Sequence, residues 1–112
     1  MLVSKVAMQQ YRGMDVVVVA KALASPVRVA ILEWLKDPEC HFVSRRAGDL
    51  ASAGVCASLI AEKAGIAAPT ASRHLDVLRR AELIDTERIT GWNYHRRNPD
   101  GLARARRLLE QV

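Results

Sequence analysis

The sequence is poor in aromatic residues, in cysteine and in long apolar runs. Aromatic residues make up 4% of its 112 residues, which argues against a single-stranded RNA-binding surface, because such surfaces stack bases on interleaved aromatic rings. Two cysteines are too few for the disulfide framework of a secreted mini-protein. No apolar run approaches the ~20 residues of a membrane span, and the first residues lack a secretory-signal pattern. We therefore expect a cytoplasmic globular protein.

Motifs of catalysis are also lacking. The sequence contains no glycine-rich phosphate loop, no H-E-x-x-H metal pair and no nucleophile elbow. Its acidic residues and histidines are scattered along the chain. We therefore do not expect an enzyme.

Positive charge is what the sequence has in excess. It carries 17 Lys+Arg against 12 Asp+Glu, a formal net charge of +5. Arginine dominates the last forty residues, and its planar fork donates two hydrogen bonds at once to phosphate or guanine. This distribution favours a polyanionic partner, although a basic surface that binds only water is also common.

Helix signals divide the first half of the chain. The valine run at 16–19 suits a strand by propensity, but no partner strand is evident, so we predict a helix over 14–24. Ser25 and Pro26 mark the start of a second helix, which Asp37 and Pro38 end near residue 36. We predict an irregular loop over 38–54, with a short strand at 41–44.

The second half reads as helix, turn, helix, hairpin and helix. A third helix is predicted over 55–64, Gly65 as its left-handed cap, and a fourth helix from Pro69. Strands at 84–89 and 92–97 flank a Thr90-Gly91 turn, and a last helix covers 100–111. This is a mainly α fold with a small β-hairpin, in the order α-α-α-α-β-β-α of a single winged helix-turn-helix domain.

The segment 55–80 carries the functional signal. Its second helix presents Thr70, Ser72, Arg73 and His74 in its first turns, where a recognition helix enters the major groove. Short hydroxyl side chains allow a close approach, and Arg73 can bind a guanine edge or a phosphate. The alternative is an ordinary helical hairpin with a polar outer face.

Four phrases resemble the ArsR/SmtB family of winged-helix repressors: ALASPVRVAIL at 22–32, IAE at 60–62, TASRHLDVL at 70–78 and AELI at 81–84. The resemblance covers residues 16–109. It implies a repressor of its own operon that releases DNA when an effector binds. It also implies a homodimer through the first and last helices, at 14–24 and 98–112.

We predict two sets of site residues. The DNA-binding set is Arg28, Thr70, Ser72, Arg73, His74, Arg79, Arg88, Thr90, Gly91 and Arg96, with the wing at 84–97. The dimer set is Val16, Val19, Leu23, Leu102, Ala105, Leu108 and Leu109.

Three of the functional assignments have a competing structural interpretation. His74 precedes an inward-facing leucine and would also suit a half-buried packing role. Arg28 would also suit a plain surface. Trp92, in the second wing strand, would face DNA or pack on the body of the protein.

Neither standard metal site of the family is intact in the sequence. The Cys-x-Cys of its arsenic and cadmium sensors reads Cys56-Ala57-Ser58 here, and the last helix lacks the histidines of its zinc sensors. Cys40, His41 and Cys56, with Asp49, are the candidate ligands for zinc or arsenite as effector. A Cys40–Cys56 redox switch, an organic effector and the absence of any effector are the alternatives.

A winged-helix module that docks proteins is the alternative function. The arginine-rich second half argues against it. DNA binding through several phosphates would weaken steeply with salt, and protein docking would not.

Overall fold

A computed structural model describes residues 15–43 and 54–112 of the chain. The first described element is helix α1, at 15–23. The remaining elements, in chain order, are α2 (Pro26–Lys36), α3 (Pro38–His41), β1 (Val55–Cys56), α4 (Ala57–Ala64), α5 (Ala68–Arg80), β2 (Ile84–Ile89), β3 (Trp92–Arg97) and α6 (Pro99–Glu110).

The valine run is helical, as predicted. Val19 and Ala22 lie in the core, and the burial of this helical face outweighs the strand propensity of the run. At the next boundary, the Ser25 hydroxyl accepts a hydrogen bond from the Arg28 amide at 3.3 Å, with proline in the first turn of α2. The predicted start of the second helix is confirmed.

The prediction of a loop was wrong for residues 38–41, and residues 41–43 do not form the predicted strand. Pro38–His41 forms the short helix α3 instead of a loop, and His41 is helical instead of beginning a strand. The amide of Phe42 closes this turn by donating to the Pro38 carbonyl at 2.9 Å. Phe42 is buried and meets Trp34 edge-on, with ring centroids 6.3 Å apart. This contact between Phe42 and Trp34 stabilises a helical turn that is too short to show a hydrophobic period in the sequence. The rest of the predicted loop, at 44–53, lies outside the described residues.

The predicted start of the third helix was also wrong. Val55 and Cys56 form strand β1, which pairs antiparallel with β3 through Val55↔His95 and Cys56↔Tyr94. Within the described residues the sheet therefore has three strands, in the order β1-β3-β2, where the sequence predicted a two-stranded hairpin. Gly54 allows this approach, because a Cβ there would stand 2.6 Å from the His95 carbonyl oxygen. A two-residue strand paired forty residues away leaves no periodic signal.

The turn of the helix-turn-helix is confirmed. Gly65 ends α4 with a φ of 68°, a left-handed conformation that glycine adopts without steric cost. The Ile66 amide reaches back to the Ala61 carbonyl at 3.1 Å and satisfies one of the last carbonyls of α4. Pro69 then lies in the first turn of α5.

One core joins the helices to the sheet. Its fully buried large side chains are Ile31, Val55, Ile60, Leu78, Leu83 and Ile84. They come from α2, β1, α4, α5, the link after α5 and β2, so α5 and the wing are fixed to the same body. Across 15–43 and 54–112, no helix is long and apolar enough to cross a membrane.

Candidate nucleic-acid interface

Helix α5 has one buried face and one exposed face. Ala71, Leu75 and Leu78 are buried, at the positions predicted. Thr70, Ser72 and Arg73 are exposed in the first turns. The first half of α5 therefore presents two hydroxyls and one guanidinium to the surroundings.

The arginines of α5 differ in what they already bind. In the part of the chain that the structure describes, Arg73 makes no hydrogen bond or ion pair. Arg79 and Arg80 instead share Asp76, with N···O distances of 2.7 and 2.9 Å. The hydrogen bond that Arg79 donates to Asp76 lowers the pKa of the Asp76 carboxyl, and the positive charge of Arg80 lowers it less strongly. Arg73 is thus the guanidinium of α5 available to a new acceptor.

Arg28 is held by the chain itself. Its Nε donates to the Ala22 carbonyl at 2.7 Å, and its Nη2 donates to the Lys21 carbonyl at 2.8 Å. These carbonyls belong to the last turn of α1, whose C-terminal end favours a cation. Neither interpretation from the sequence anticipated this role, in which Arg28 caps α1. Its predicted contact with DNA stays a prediction.

The same arginine links α1 to α5. Its Nη1 lies 3.0 Å from Nδ1 of His74. Because a guanidinium can only donate, His74 must accept at Nδ1, which leaves its proton on Nε2. Burial and then the positive charge of Arg28 lower the pKa of His74. His74 is half-buried, so it supports the front of α5 and keeps one donor for a further partner.

The wing has the predicted strands and turn. Ile89 pairs with Trp92 across a two-residue turn in which Thr90 and Gly91 have φ values of 51° and 81°. Two positive φ values are typical of the type I′ turns that match strand twist. Arg88 is exposed at the tip. The predicted residues Arg88, Thr90 and Gly91 therefore lie together.

The two arginines at the end of β3 have different surroundings. Arg96 is exposed and lies 3.7 Å from the Glu87 carboxylate on β2. Arg97 donates from Nη1 to the Leu32 carbonyl at 2.8 Å and fixes the base of the wing to α2. Of the two, Arg96 is the one placed on the surface of the wing.

A shallow pocket of about 170 Å³ lies between α5 and the wing. Six polar side chains line it: Ser72, Asp76 and Arg79 from α5, and Thr86, Asn93 and His95 from the wing. Asn93, Thr86 and His95 were not among the predicted residues. Period-two alternation along β3 places Asn93 on the same face as His95, and this signal would have found it.

His95 is the polar residue that the wing buries. It is 7% exposed, and its Nδ1 lies 2.9 Å from the Thr86 hydroxyl. Burial lowers its pKa to about 4. His95 is therefore neutral at physiological pH and joins β2 to β3 beneath the pocket.

Comparison with known proteins decides the family. The model of a family described as "Bacterial regulatory protein, arsR family" matches residues 48–86. An uncharacterized HTH-type transcriptional regulator of Bacillus subtilis, YbzH, is 37% identical over 97 residues, covering 87% of this chain and 97% of that protein. The chain belongs to the ArsR family.

Solved structures show the same fold. The homodimeric winged helix-turn-helix DNA-binding domain of Mb0332 from Mycobacterium bovis is 27% identical and superposes with a TM-score of 0.62, covering 96% of this chain and 82% of that one. The ArsR family transcriptional regulator RHA00566 is 17% identical, with a TM-score of 0.65 over 88% of this chain and 87% of that one, and shows the fold alone. This ArsR-family protein is a winged-helix, DNA-binding transcriptional regulator and not an enzyme.

The residues predicted for an ArsR-family dimer interface fall into three groups. Val19 and Ala105 lie in the core of the chain itself, where little of their surface is left for a partner. Leu23, Leu102 and Leu108 are half-buried against that core. Val16 is half-buried as well, and Leu109 is exposed. Val17 and Val18, which were not in the predicted set, are also exposed on α1.

An ion pair of Arg104 joins α1 and α6, the two helices that carry these residues. Arg104 of α6 binds Asp15 of α1 at 2.9 Å and Glu82 at 2.8 Å. Both ion pairs are exposed, and such pairs contribute little stability individually. The first pair joins the start of α1 to α6, and the second joins α6 to the link after α5.

The two cysteines have different neighbours, Cys40 at the surface and Cys56 half-buried. Among the described residues, no three His, Cys, Asp or Glu side chains come together in a way that would hold a metal ion. Zinc or arsenite as an effector bound by Cys40, His41 and Cys56 stays a prediction. Cys40 donates to Asp37 at 3.0 Å, and this hydrogen bond and the aspartate charge raise the pKa of its thiol. Cys56 lies 3.2 Å from the Ser58 hydroxyl. Asp49 lies outside the described residues.

Proposed function

We propose that this protein is a homodimer that represses its own operon and leaves the operator when an effector binds. The first half of α5 enters one major groove in each half-site, and the wing lies over the adjacent minor groove. The observation that carries the proposal is Arg73, an exposed guanidinium without an internal partner among the described residues. Its neighbours Thr70 and Ser72 are short enough for close approach to the bases. The proposal includes the cytoplasm as location, since a bacterial operator lies there.

The dimer in this proposal sets the form of the operator. Two recognition helices related by a twofold axis bind half-sites about one DNA turn apart, roughly 34–36 Å. The operator is therefore an imperfect palindrome. Leu108, Leu109, Val17 and Val18 supply the exposed and half-exposed apolar surface of the interface.

Binding to DNA upstream of its own gene tests the repressor. Fluorescence anisotropy of a labelled upstream duplex and of a scrambled duplex is measured at low and at physiological salt. We expect selective binding whose affinity falls steeply with salt, because each phosphate contact releases a counterion. Equal and weak binding to both duplexes contradicts the operator proposal and favours a protein-docking module.

The same assay tests release. Zinc and arsenite are added first, because Cys40 and Cys56 are the two thiols of the chain, and thiol oxidants and small organic molecules follow. Release by arsenite that Cys40→Ser or Cys56→Ser abolishes would support a thiol-based sensor. Release by an oxidant or organic molecule alone would support a different effector class.

Leu108→Asp tests the dimer. A carboxylate in an apolar interface is costly, so we expect sedimentation to show monomers and operator affinity to fall. Arg106→Asp, at an exposed position of the same helix, is the control for adding a carboxylate to α6. A dimer that survives Leu108→Asp contradicts the proposed interface.

A further inference from the structure

The tip of the wing carries two large apolar side chains on its surface. Trp92 is 46% exposed and Ile89 is 37% exposed. They pair directly across the turn, so their side chains emerge on the same face of the sheet. Tryptophan is usually much more buried than this.

The two faces of the wing differ in chemistry. Thr86, Asn93 and His95 lie on the face that lines the pocket beside α5. Arg88 pairs with Asn93 and therefore shares that face near the tip. Ile89 and Trp92, one position along each strand, lie on the opposite face. At its tip, the wing is therefore polar on the face toward the recognition helix and apolar on the other face. Further from the turn, that other face is charged, because it carries the ion pair of Glu87 with Arg96.

A wing placed in a minor groove meets two walls, and each wall is a sugar–phosphate backbone. The wall nearer to the recognition helix lies on the side of Arg88 and Asn93, whose donors suit its phosphates. The opposite wall lies on the side of Ile89 and Trp92. The carbon atoms of its deoxyribose suit an apolar surface, and apolar side chains are common in minor-groove binders. The surface formed by Ile89 and Trp92 fits that second wall in position and in chemistry.

We propose that Ile89 and Trp92 form an apolar contact with the sugar wall of the minor groove and so widen the DNA interface beyond the basic residues. This inference rests on the proposed DNA-binding mode. The contact does not distinguish bases directly; it contributes to affinity for any duplex whose minor groove admits the wing tip.

Tryptophan fluorescence tests the contact directly. The chain has two tryptophans, and Trp34→Phe leaves Trp92 as the reporter while keeping an aromatic ring beside Phe42. A duplex of the protein's own upstream DNA is titrated in, with anisotropy of a dye on the duplex reporting binding. We expect the Trp92 emission to change and its quenching by acrylamide to fall as the duplex binds.

Substitutions give a second readout. Trp92→Ala is expected to weaken binding to the upstream and scrambled duplexes alike, by about tenfold, and Trp92→Phe is expected to restore part of the loss. Val29→Ala, which trims another exposed apolar side chain on α2, is the control and is expected to leave affinity unchanged. Thermal unfolding of Trp92→Ala shows whether the variant is folded.

The outcomes separate the two proposals. Binding by anisotropy with unchanged Trp92 emission and quenching overturns the sugar-wall contact and leaves the repressor intact. Protection of Trp92 that grows with protein concentration without DNA overturns it too, because a second copy then covers the tip. Failure of the Trp34→Phe variant and the unmodified protein to bind the duplex overturns the proposed function, and the wing contact with it.

Discussion

Most polar side chains in the first half of α5 are exposed, whereas those in the second half form ion pairs with one another. In the first half, Thr70, Ser72 and Arg73 are exposed, and Arg73 has no internal partner within the described residues. In the second half, Asp76 binds both Arg79 and Arg80, and Asp76 and Arg79 line the pocket above His95. One half is open to a partner, while the other is committed to the chain's own structure.

This difference shows that the number of arginines does not measure the cation available to DNA. A guanidinium that already shares a carboxylate must give up that contact, or divide its donors, before it binds a phosphate. Arg79 was predicted as a DNA-binding residue from its position alone. Its ion pair with Asp76 makes it a weaker candidate than Arg73, although its contact with DNA stays a prediction.

The largest expected effect is a loss of stability at low pH, caused by His95, which lies beneath the second half of α5. Burial lowers the pKa of His95 to about 4 from an ordinary value of 6.5, so the unfolded chain takes up a proton that the folded chain resists. The contribution of His95 to the free energy of unfolding is therefore fully present above about pH 6.5. The free energy of unfolding then falls by roughly 3 kcal/mol as the pH falls to 4. Denaturant unfolding at a series of pH values measures this loss.

His95→Asn is the control for that titration. Its amide keeps a hydrogen-bonding atom near the position of Nδ1, where Thr86 binds, but it does not titrate. We expect this variant to be less stable at pH 7 and to lose less stability than the unmodified protein between pH 6.5 and 4. An equally steep loss in the variant would show that another group is responsible.

Arg73→Ala tests the open half. We expect it to weaken operator binding by about 1–3 kcal/mol, because an arginine that reads a base contributes this much. Arg80→Ala, an exposed arginine of the same helix that is already paired, is the matched control and is expected to have a smaller effect. Anisotropy titrations compare both variants on upstream and scrambled duplexes. Equal losses from the two substitutions would contradict the difference between the halves.

Arg28→Ala sharpens the comparison at the front of α5. Because Arg28 binds two carbonyls of α1 and Nδ1 of His74, we expect its loss to lower the free energy of unfolding by about 1–2 kcal/mol. Arg88→Ala, at the exposed wing tip, is expected to leave stability unchanged and to reduce the salt slope of DNA binding by about 1. Urea unfolding and salt titrations separate the roles. An unchanged stability in Arg28→Ala, with a reduced salt slope, would make Arg28 a phosphate contact instead.

The smallest expected effect comes from removing the ion pairs of Asp76 in the second half of α5. Asp76→Ala frees Arg79 and Arg80, and we expect binding to scrambled DNA to strengthen severalfold and its salt slope to steepen by about 1–2. Stability should change little, since exposed ion pairs contribute at most about 1 kcal/mol. Glu110→Ala makes the same change in net charge on α6 and is the control. A matching gain in the control would attribute the effect to net charge alone.

Local signals explain which parts of the fold were predictable. Ser25 with Pro26, Gly65 and Thr90 with Gly91 each fix a boundary through their own backbone preferences, and these boundaries were predicted correctly. Strand β1 was not predicted because it forms through its pairing with β3, and its own two residues carry no periodic strand signal. Helix α3 was missed because a single turn, held by the contact of Phe42 with Trp34, has no period to detect.

The site shows the same division between local and tertiary information. The exposed position of Arg73 follows from the helical period of α5, which the sequence displays. The spacing of Asp76 and Arg80, four apart on a helix, also favours an ion pair. The attachment of Arg28 to α1 and to His74, forty-six positions away, depends on how the helices pack and has no local sign.

The most direct test of the open and committed halves follows the arginine side chains themselves. Nitrogen–proton NMR spectra of the arginine Nε–Hε groups are recorded without and with the upstream duplex, and Arg→Lys variants assign the resonances. We expect the Arg73 signal to shift and gain protection from exchange with water, while the signals of Arg79 and Arg80 change little. Large shifts at Arg79 and Arg80 with an unchanged Arg73 signal would contradict the proposed difference between the two halves of α5.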